Sequence, residues 1–350
     1  MPTTSCRTPP PIGAHLSRTK ATGFHGAVLD AVQLGADAVQ VFACPPRQLT
    51  LVYDVDTDDL RRTQQLLRTH KVQLFVHTPY TINLCDPSKQ ALNACVLRQQ
   101  LDLCSALGGS GVVVHTGTRK VVTEQTEQDA HKTYVGTVAR ALHGFAWRKY
   151  TYGHYEGSGR LLIETSAGKG NSIGVSVDDF ATLYNAVVSG VQPVHHKHLG
   201  VCVDTCHVYE SGYDISSPAT TYAYTRRLHK RLTGGKAAVK LVHLNDSKKW
   251  VGARVDRHEH LGDGGLYGQS YDGLRALQAV YPRVPFVLET HDTPPYTAHY
   301  AKELALFRTV YHNTHAATPD PAEPLVQTPK TPQPPTPARR RTQRVSKTNT

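Results

Sequence analysis

Asp204 and His207 stand three residues apart where an apolar run, Leu199-Gly200-Val201-Cys202-Val203, comes to an end. A carboxylate and a neutral imidazole at the end of a buried strand are donor types that zinc accepts. Taken alone the pair also reads as a helix cap with a surface histidine, and short matches of this kind have a real false-positive rate. The same event recurs along the chain. His77 follows Val72–Val76, His115 ends Gly111–His115, and Glu164 follows Arg160–Ile163. His243 follows Ala238–Val242, and Glu289 follows Val284–Leu288. Asp256 and His258 lie two positions apart beyond the seventh run, a spacing that in extended backbone points both the same way. Four carboxylates and five imidazoles gathered at one buried site cannot all stay unpaired, since buried charge demands a partner or a metal. One zinc takes about four donors, so two or three ions are expected.

The elements that must carry these groups follow from the same runs. Eight short apolar or β-branched stretches recur, beginning with Ile12–His15 and Ala38–Phe42. Near-continuous apolar runs of this length suit strands covered on both faces. Helix-length segments lie between them. Gly23–Leu34, Asp58–His70 and Ser88–Leu107 carry apolar residues at three- and four-residue spacings, and Gly108-Gly109 stops the last. Alternating strands and helices predict an α/β fold with a parallel sheet, and eight units are what a (β/α)8 TIM barrel requires. Strand C-terminal ends then meet in one ring, the face on which such barrels do chemistry. Gly144–Gly159, rich in aromatics and glycine, reads as a long loop.

Composition narrows the setting. Seven cysteines, an odd number with no CxxC pair, fit free thiols in a reducing compartment. No apolar run of about 18 residues exists, which excludes a spanning helix, and the Pro/Thr-rich start lacks the apolar block of a secretory signal. The net charge is +11. Residues 313–350 hold six basic and two acidic residues (+4), leaving +7 on the first 312, so the body is basic in its own right and suits a polyanionic partner. From Thr318 the chain holds eight of the 22 prolines, no aromatic residue and the cluster Arg339-Arg340-Arg341. Such a segment cannot offset its chain entropy and is expected to be disordered. The expected organisation is a flexible start (1–11), a barrel (12–312) and a disordered basic Pro-rich tail (313–350). The arginines read as a nuclear-localisation or nucleic-acid-binding signal, or as a solubilising tail.

Longer motifs carry a resemblance. They are Ile-Gly-Ala-His-Leu-Ser from Ile12, His-Thr-Pro-Tyr-Thr-Ile-Asn-Leu from His77, Val-His-Thr-Gly from Val114 and Ile-Glu-Thr-Ser-Ala-Gly-Lys-Gly-Asn from Ile163. Val-Asp-Thr-Cys-His from Val203, His-Leu-Asn-Asp-Ser-Lys from His243, Arg-Val-Asp-Arg-His-Glu-His-Leu-Gly-Asp-Gly from Arg254 and Leu-Glu-Thr from Leu288 follow in order. Over roughly Ile12 to Phe307 the chain resembles the endonuclease IV family of apurinic/apyrimidinic (AP) endonucleases. The resemblance implies a trinuclear zinc site, with manganese able to replace one ion. His77, His115 and Glu164 would hold the first ion. Glu164 would bridge to a second, completed by Asp204, His243 and Glu289, and His207, Asp256 and His258 would hold the third.

It further implies a base-excision-repair hydrolase that acts on double-stranded DNA as a monomer. The enzyme would cut the phosphodiester 5′ to an abasic site, leave a 3′-hydroxyl and a 5′-deoxyribose phosphate, and trim blocked 3′ ends. Glu164 and Glu289 would be its catalytic carboxylates. Arg47 and Tyr80 match positions that enter the DNA stack, and Lys248, Arg254 and Arg257 are expected phosphate contacts. The loop Ala43-Cys44-Pro45-Pro46-Arg47-Gln48 and Thr81 depart from the family pattern, which bears on DNA contact rather than on the chemistry. The tail points to the nucleus, with the cytoplasm as the alternative, and to a eukaryotic or viral source. The competing readings are a metal-dependent sugar isomerase or epimerase on a similar barrel and a non-catalytic DNA-binding module.

Overall fold

The structure is a computed structural model of the 350-residue chain and describes residues 8–49, 56–120, 124–147, 149–152, 155–268 and 270–314. The N-terminal residues 1–7 and the basic tail from 315 onward lie outside the described residues. In chain order the strands are β1 (Ile12–His15), β2 (Ala38–Phe42), β3 (Gln73–His77), β4 (Gly111–His115), β5 (Lys149–Tyr152) and β6 (Tyr155–Ser158). They continue as β7 (Leu161–Glu164), β8 (Leu199–Asp204), β9 (Val239–His243), β10 (Asp246–Ser247), β11 (His258–Glu259) and β12 (Phe286–Leu288). Eight of them close into a parallel barrel in the order β1-β12-β9-β8-β7-β4-β3-β2. This is the TIM barrel expected from the eight apolar runs.

Two packing layers follow from the strand period. Ala38, Phe75, Val113, Leu162, Cys202, Leu241 and Val287 form one buried cluster inside the barrel, one residue from each of seven strands. The eighth strand supplies Gly13, where an added Cβ would lie 1.6 Å from the Ala38 carbonyl oxygen; β1 therefore approaches β2 too closely for a side chain. A second, larger cluster fills the space between the barrel and its helices, drawing on Phe24, Leu67, Leu97, Tyr134, Phe180, Leu228 and Phe307.

The helices that pack there carry local signals. Gly108, with φ +75°, ends the helix Gln90–Leu107, as expected of a residue without a Cβ penalty in the left-handed region. Thr126 caps Glu127–Leu142 through a reciprocal pair with Asp129. No helix among the described residues is long and apolar enough to cross a membrane.

Some boundaries differ from expectation. β3, β7, β8 and β9 each extend one residue further, so His77, Glu164, Asp204 and His243 are the last residues of their strands. Gly144–Gly159 is not a plain loop. It contains the antiparallel pair β5–β6, with Tyr150 opposite Gly157 and Tyr152 opposite Tyr155. Its aromatic and β-branched residues carry strand propensity rather than loop character. The last helix, Tyr300–Thr314, runs two residues into the segment expected to be tail, which was to start at Asn313.

Candidate metal centre

Side chains two apart on a strand share a face. Two residues beyond each inner apolar position the barrel therefore points a polar group to the same side. Gly13 is followed by His15, Ala38 by Gln40, Phe75 by His77 and Val113 by His115; Leu162 is followed by Glu164, Cys202 by Asp204, Leu241 by His243 and Val287 by Glu289. The polar ring sits at the C-terminal ends of the strands, over an apolar floor.

The nine donors named from the sequence come together in three groups. His77 Nε2 and His115 Nε2 lie 3.2 Å and 3.0 Å from Glu164 Oε2. His243 Nδ1 lies 2.9 Å from Glu164 Oε1, 3.1 Å from Glu289 Oε2 and 3.9 Å from Asp204 Oδ2. His207 Nε2 and His258 Nε2 lie 3.2 Å and 3.3 Å from Asp256 Oδ1. Each set, His77/His115/Glu164, Glu164/Asp204/His243/Glu289 and His207/Asp256/His258, gathers its donor atoms within 4.8 Å of one another. Glu164 belongs to two of them. Asp256 is reached differently from expectation. Its φ is +66°, so it is not in an extended segment, and it converges with His258 through a turn.

Hydrogen bonds fix how the donors face. His77 Nδ1 donates to the Thr78 carbonyl at 2.7 Å and His207 Nδ1 to that of Thr165 at 2.8 Å, leaving each Nε2 toward the cluster. His243 Nε2 donates to Gln40 Oε1 at 2.9 Å, while Gln40 Nε2 donates to Glu289 Oε1 at 2.6 Å and to His15 Nδ1 at 3.0 Å. Asn245 Nδ2 donates to Asp204 Oδ2 at 2.7 Å and to Glu289 Oε2 at 3.2 Å. Asp204 Oδ1 caps the helix Thr205–Glu210 by accepting from the His207 N–H at 2.7 Å, which turns Oδ2 to the site. Orienting partners of this kind accompany metal-binding histidines.

The sequence did not reveal His15, Gln40, Asn245 and Glu210. The first two complete the two-residue rule on β1 and β2, which could have found them. Asn245 lies inside a motif already quoted.

The electrostatics call for cations. Burial disfavours the charged imidazoles of His115, His207, His243 and His258, yet nearby groups outweigh it and raise all four: carboxylates at His115, His207 and His258, the last to about 9, and the Cys202 sulfur ahead of Glu289 and Glu164 at His243. Burial opposes ionisation of Glu164, Glu289 and Asp256, but histidines hold all three below the carboxylate range: His115 and His243 for Glu164, His243 and His15 for Glu289, His207 and His258 for Asp256. At Asp204 burial prevails and its value is raised. His258 Nε2 is buried without a hydrogen bond. A divalent ion would satisfy it and replace the protons the histidines otherwise take up. Mixed His and carboxylate donors suit zinc or manganese.

The cluster opens into a groove of about 1500 Å³ lined in part by Arg47, Tyr80 and Arg257. Tyr80 is 60% exposed and stacks near His115, ring centroids 6.2 Å apart. Arg18, Lys20, Arg62 and Lys169 add positive charge to the same walls; Lys169 lies inside the motif quoted from Ile163, and nothing in the sequence singles out the other three. Lys248 and Arg254 are exposed but are not among the lining residues, and Lys248 lies 3.7 Å from Glu259.

Residues 28–310 match the family described as a xylose isomerase-like TIM barrel, AP_endonuc_2. A "Probable endonuclease 4" from Persephonella marina is 31% identical over 293 residues, covering 81% of this chain and 91% of that one. The crystal structure of endonuclease IV from Thermus thermophilus superposes with a TM-score of 0.70 at 27% identity, covering 87% of this chain and 100% of that one. A D-tagatose 3-epimerase-like protein shares the fold alone, with a TM-score of 0.60 at 15% identity over 87% of this chain and 100% of that one. Barrel, ligand ring and extended sequence identity together place this chain in the endonuclease IV family.

Proposed function

We propose that the protein is a metal-dependent DNA repair endonuclease that hydrolyses the phosphodiester 5′ to abasic sites in duplex DNA. The reading includes three zinc ions, with manganese admissible at one position, and trimming of blocked 3′ ends. The observation that carries it is the third donor group, His207, Asp256 and His258, beside the two groups that share Glu164. Sugar isomerisation on a similar barrel needs fewer metal ligands, and the epimerase likeness is one of fold only. A pure binding module would have no use for nine converging donors.

When bound, divalent ions supply Lewis acidity toward phosphoryl oxygens and acidify water into the neutral range. The chain's own residues do the rest. Glu164, 1% exposed, presents one oxygen to His77 and His115 and the other to His243, the geometry of a bridging ligand. Glu289 is held by Gln40 and Asn245 and can orient the attacking water. Four carboxylates against three divalent ions leave a formal charge of about +2, which favours a phosphodiester. Products would be a 3′-hydroxyl and a 5′-deoxyribose phosphate, with no covalent enzyme intermediate.

An abasic nucleotide has little stacking to lose, so extruding it is cheaper than flipping an intact one. Tyr80 and Arg47 flank the groove and suit the role of holding the opened duplex; Arg257, Lys248 and Arg254 suit phosphate contacts. The reading further carries a monomer acting in the nucleus, directed there by the Arg339–Arg341 cluster. Loss of nuclear accumulation when those arginines become alanine checks the last point.

The test of the activity is incision of a labelled duplex carrying one tetrahydrofuran abasic analogue, beside an intact duplex. The analogue cannot undergo β-elimination, so a cut must be hydrolytic. Cleavage directly 5′ to the analogue with a 3′-hydroxyl end is expected. An uncut duplex with metal verified in the protein would redirect the assignment to sugar substrates.

A further inference from the structure

Glu210 is a fully buried carboxylate, 0% exposed, that belongs to none of the three donor groups. It closes the short helix Thr205–Glu210, which also carries the ligand His207. Its Oε2 accepts the backbone N–H groups of Val255 at 2.8 Å and Asp256 at 2.5 Å. Its Oε1 accepts that of Arg257 at 3.2 Å, the Ser247 hydroxyl at 2.7 Å and the Cys206 thiol at 3.4 Å. The Glu210 carbonyl accepts the Arg254 N–H at 3.0 Å as well. Ser247 in turn lies in β10, directly opposite His258 in β11. One carboxylate therefore joins the helix that carries His207, the turn that carries Asp256 and the strand pair that carries His258.

That turn needs such a clamp. Arg254 and Asp256 adopt φ values of +56° and +66°, a left-handed conformation that side chains with a Cβ disfavour. Three consecutive amides, of Val255, Asp256 and Arg257, converge on the one side chain, and this curls the backbone so that Asp256 Oδ1 arrives between His207 Nε2 and His258 Nε2. Nothing comparable is required of the other two groups, because their ligands are the terminal residues of barrel strands or follow them directly.

We propose that Glu210 is the positioning residue for the third metal ion: by gripping amides 255–257 it sets the geometry, and so the affinity, of the His207/Asp256/His258 group without touching metal or substrate. The inference rests on the metal-site reading above. It makes the third ion separable from the first two, since a change confined to Glu210 reaches only one of the three groups.

The experiment uses the full chain, loaded with zinc and then dialysed against a mild chelator. Wild type, Glu210→Gln and Glu210→Ala are compared for zinc per chain by elemental analysis, for hydrogen exchange of amides 255–257, and for kcat and KM on the abasic duplex. Wild type is expected to keep three ions and Glu210→Ala two, since loss of an orienting group typically weakens metal binding by about 10–100-fold. Exchange at 255–257 should accelerate in parallel, and kcat should fall while KM stays within about 2-fold. Glu210→Gln keeps one acceptor oxygen and should fall between the two; if the alanine variant fails to fold, the glutamine variant alone decides through the same readings. Faster exchange with three ions still retained would overturn the proposal, leaving Glu210 a purely structural clamp. A wild-type protein that holds no ion at all would instead overturn the metal reading itself, together with this one.

Discussion

The two donor groups on the barrel strands and the third group, which joins His207 on the helix Thr205–Glu210 to Asp256 and His258 in the segment after β9, are built on different principles. His77, His115, Glu164, Asp204 and His243 each end a strand, and Glu289 follows one directly. Their positions are set by barrel register and period-two alternation, supported by an apolar interior. Asp256 and His258 belong to a segment whose shape depends on a turn with left-handed residues and on hydrogen bonds to a buried carboxylate. Rigid elements hold functional groups more accurately than loops do. The first two groups are thus a property of the fold, and the third is an addition that local contacts must maintain.

Breaking the strand-borne part should have the largest effect. Glu164→Gln removes a charge shared by two groups and leaves His77, His115 and His243 without their common carboxylate. Incision should fall by about 10³-fold or more, the scale of losing a transition-state contact, and retained zinc should drop by more than one ion per chain, as elemental analysis would record. His258→Ala attacks only the loop-borne part. Incision should fall by about 10²-fold with two ions still bound; loss of all ions would show that the groups are not separable.

Removing an orienting partner should be milder. Asn245→Ala frees Asp204 and Glu289 from one shared donor and should cost about 10–100-fold in metal affinity or activity, measured by chelator competition.

The metal-stripped protein offers a pH contrast. Its His207, His243 and His258 have raised values, His258 about 9, against about 6.5 when unfolded. A raised value means the folded state binds the extra protons, so this stabilisation is complete below about pH 6.5; the His258 share is lost as pH rises through about 9, and the shares of His207 and His243 as pH rises through their own raised values. The stripped protein should therefore melt at progressively lower temperature across that window, while the zinc-loaded protein should not follow it. A flat profile for the stripped protein would mean the histidines are not paired as described. Smallest of all, Arg257→Ala at the groove wall should raise KM several-fold and lower the salt slope of DNA binding by about one, with kcat nearly unchanged.

The same contrast explains what is legible in the sequence. Barrel ligands are readable because a buried apolar run followed by His, Asp or Glu is a local pattern, and its recurrence at successive strand ends adds up. Gln40 and His15 escape notice because a glutamine inside Ala38–Phe42 looks like an interruption and a histidine at the end of Ile12–His15 looks like a strand end. Only the closed ring shows both facing Glu289. Extended alternation groups Asp256 with its partners for a reason that does not hold, because the turn is imposed by Glu210 from 46 residues away. The β5–β6 hairpin reads as loop in the sequence because its glycines mask the strand propensity of its aromatic residues. Long-range clamps leave no local trace, and there the sequence stops being informative.

The most direct measurement is a zinc titration of the stripped protein, following incision of the tetrahydrofuran duplex against equivalents added per chain. The expected result is negligible cutting without metal, little through the first two equivalents, and a steep rise that saturates at the third. Incision by the metal-free protein, or full activity at one equivalent, would contradict a catalytic centre built from three cooperating donor groups.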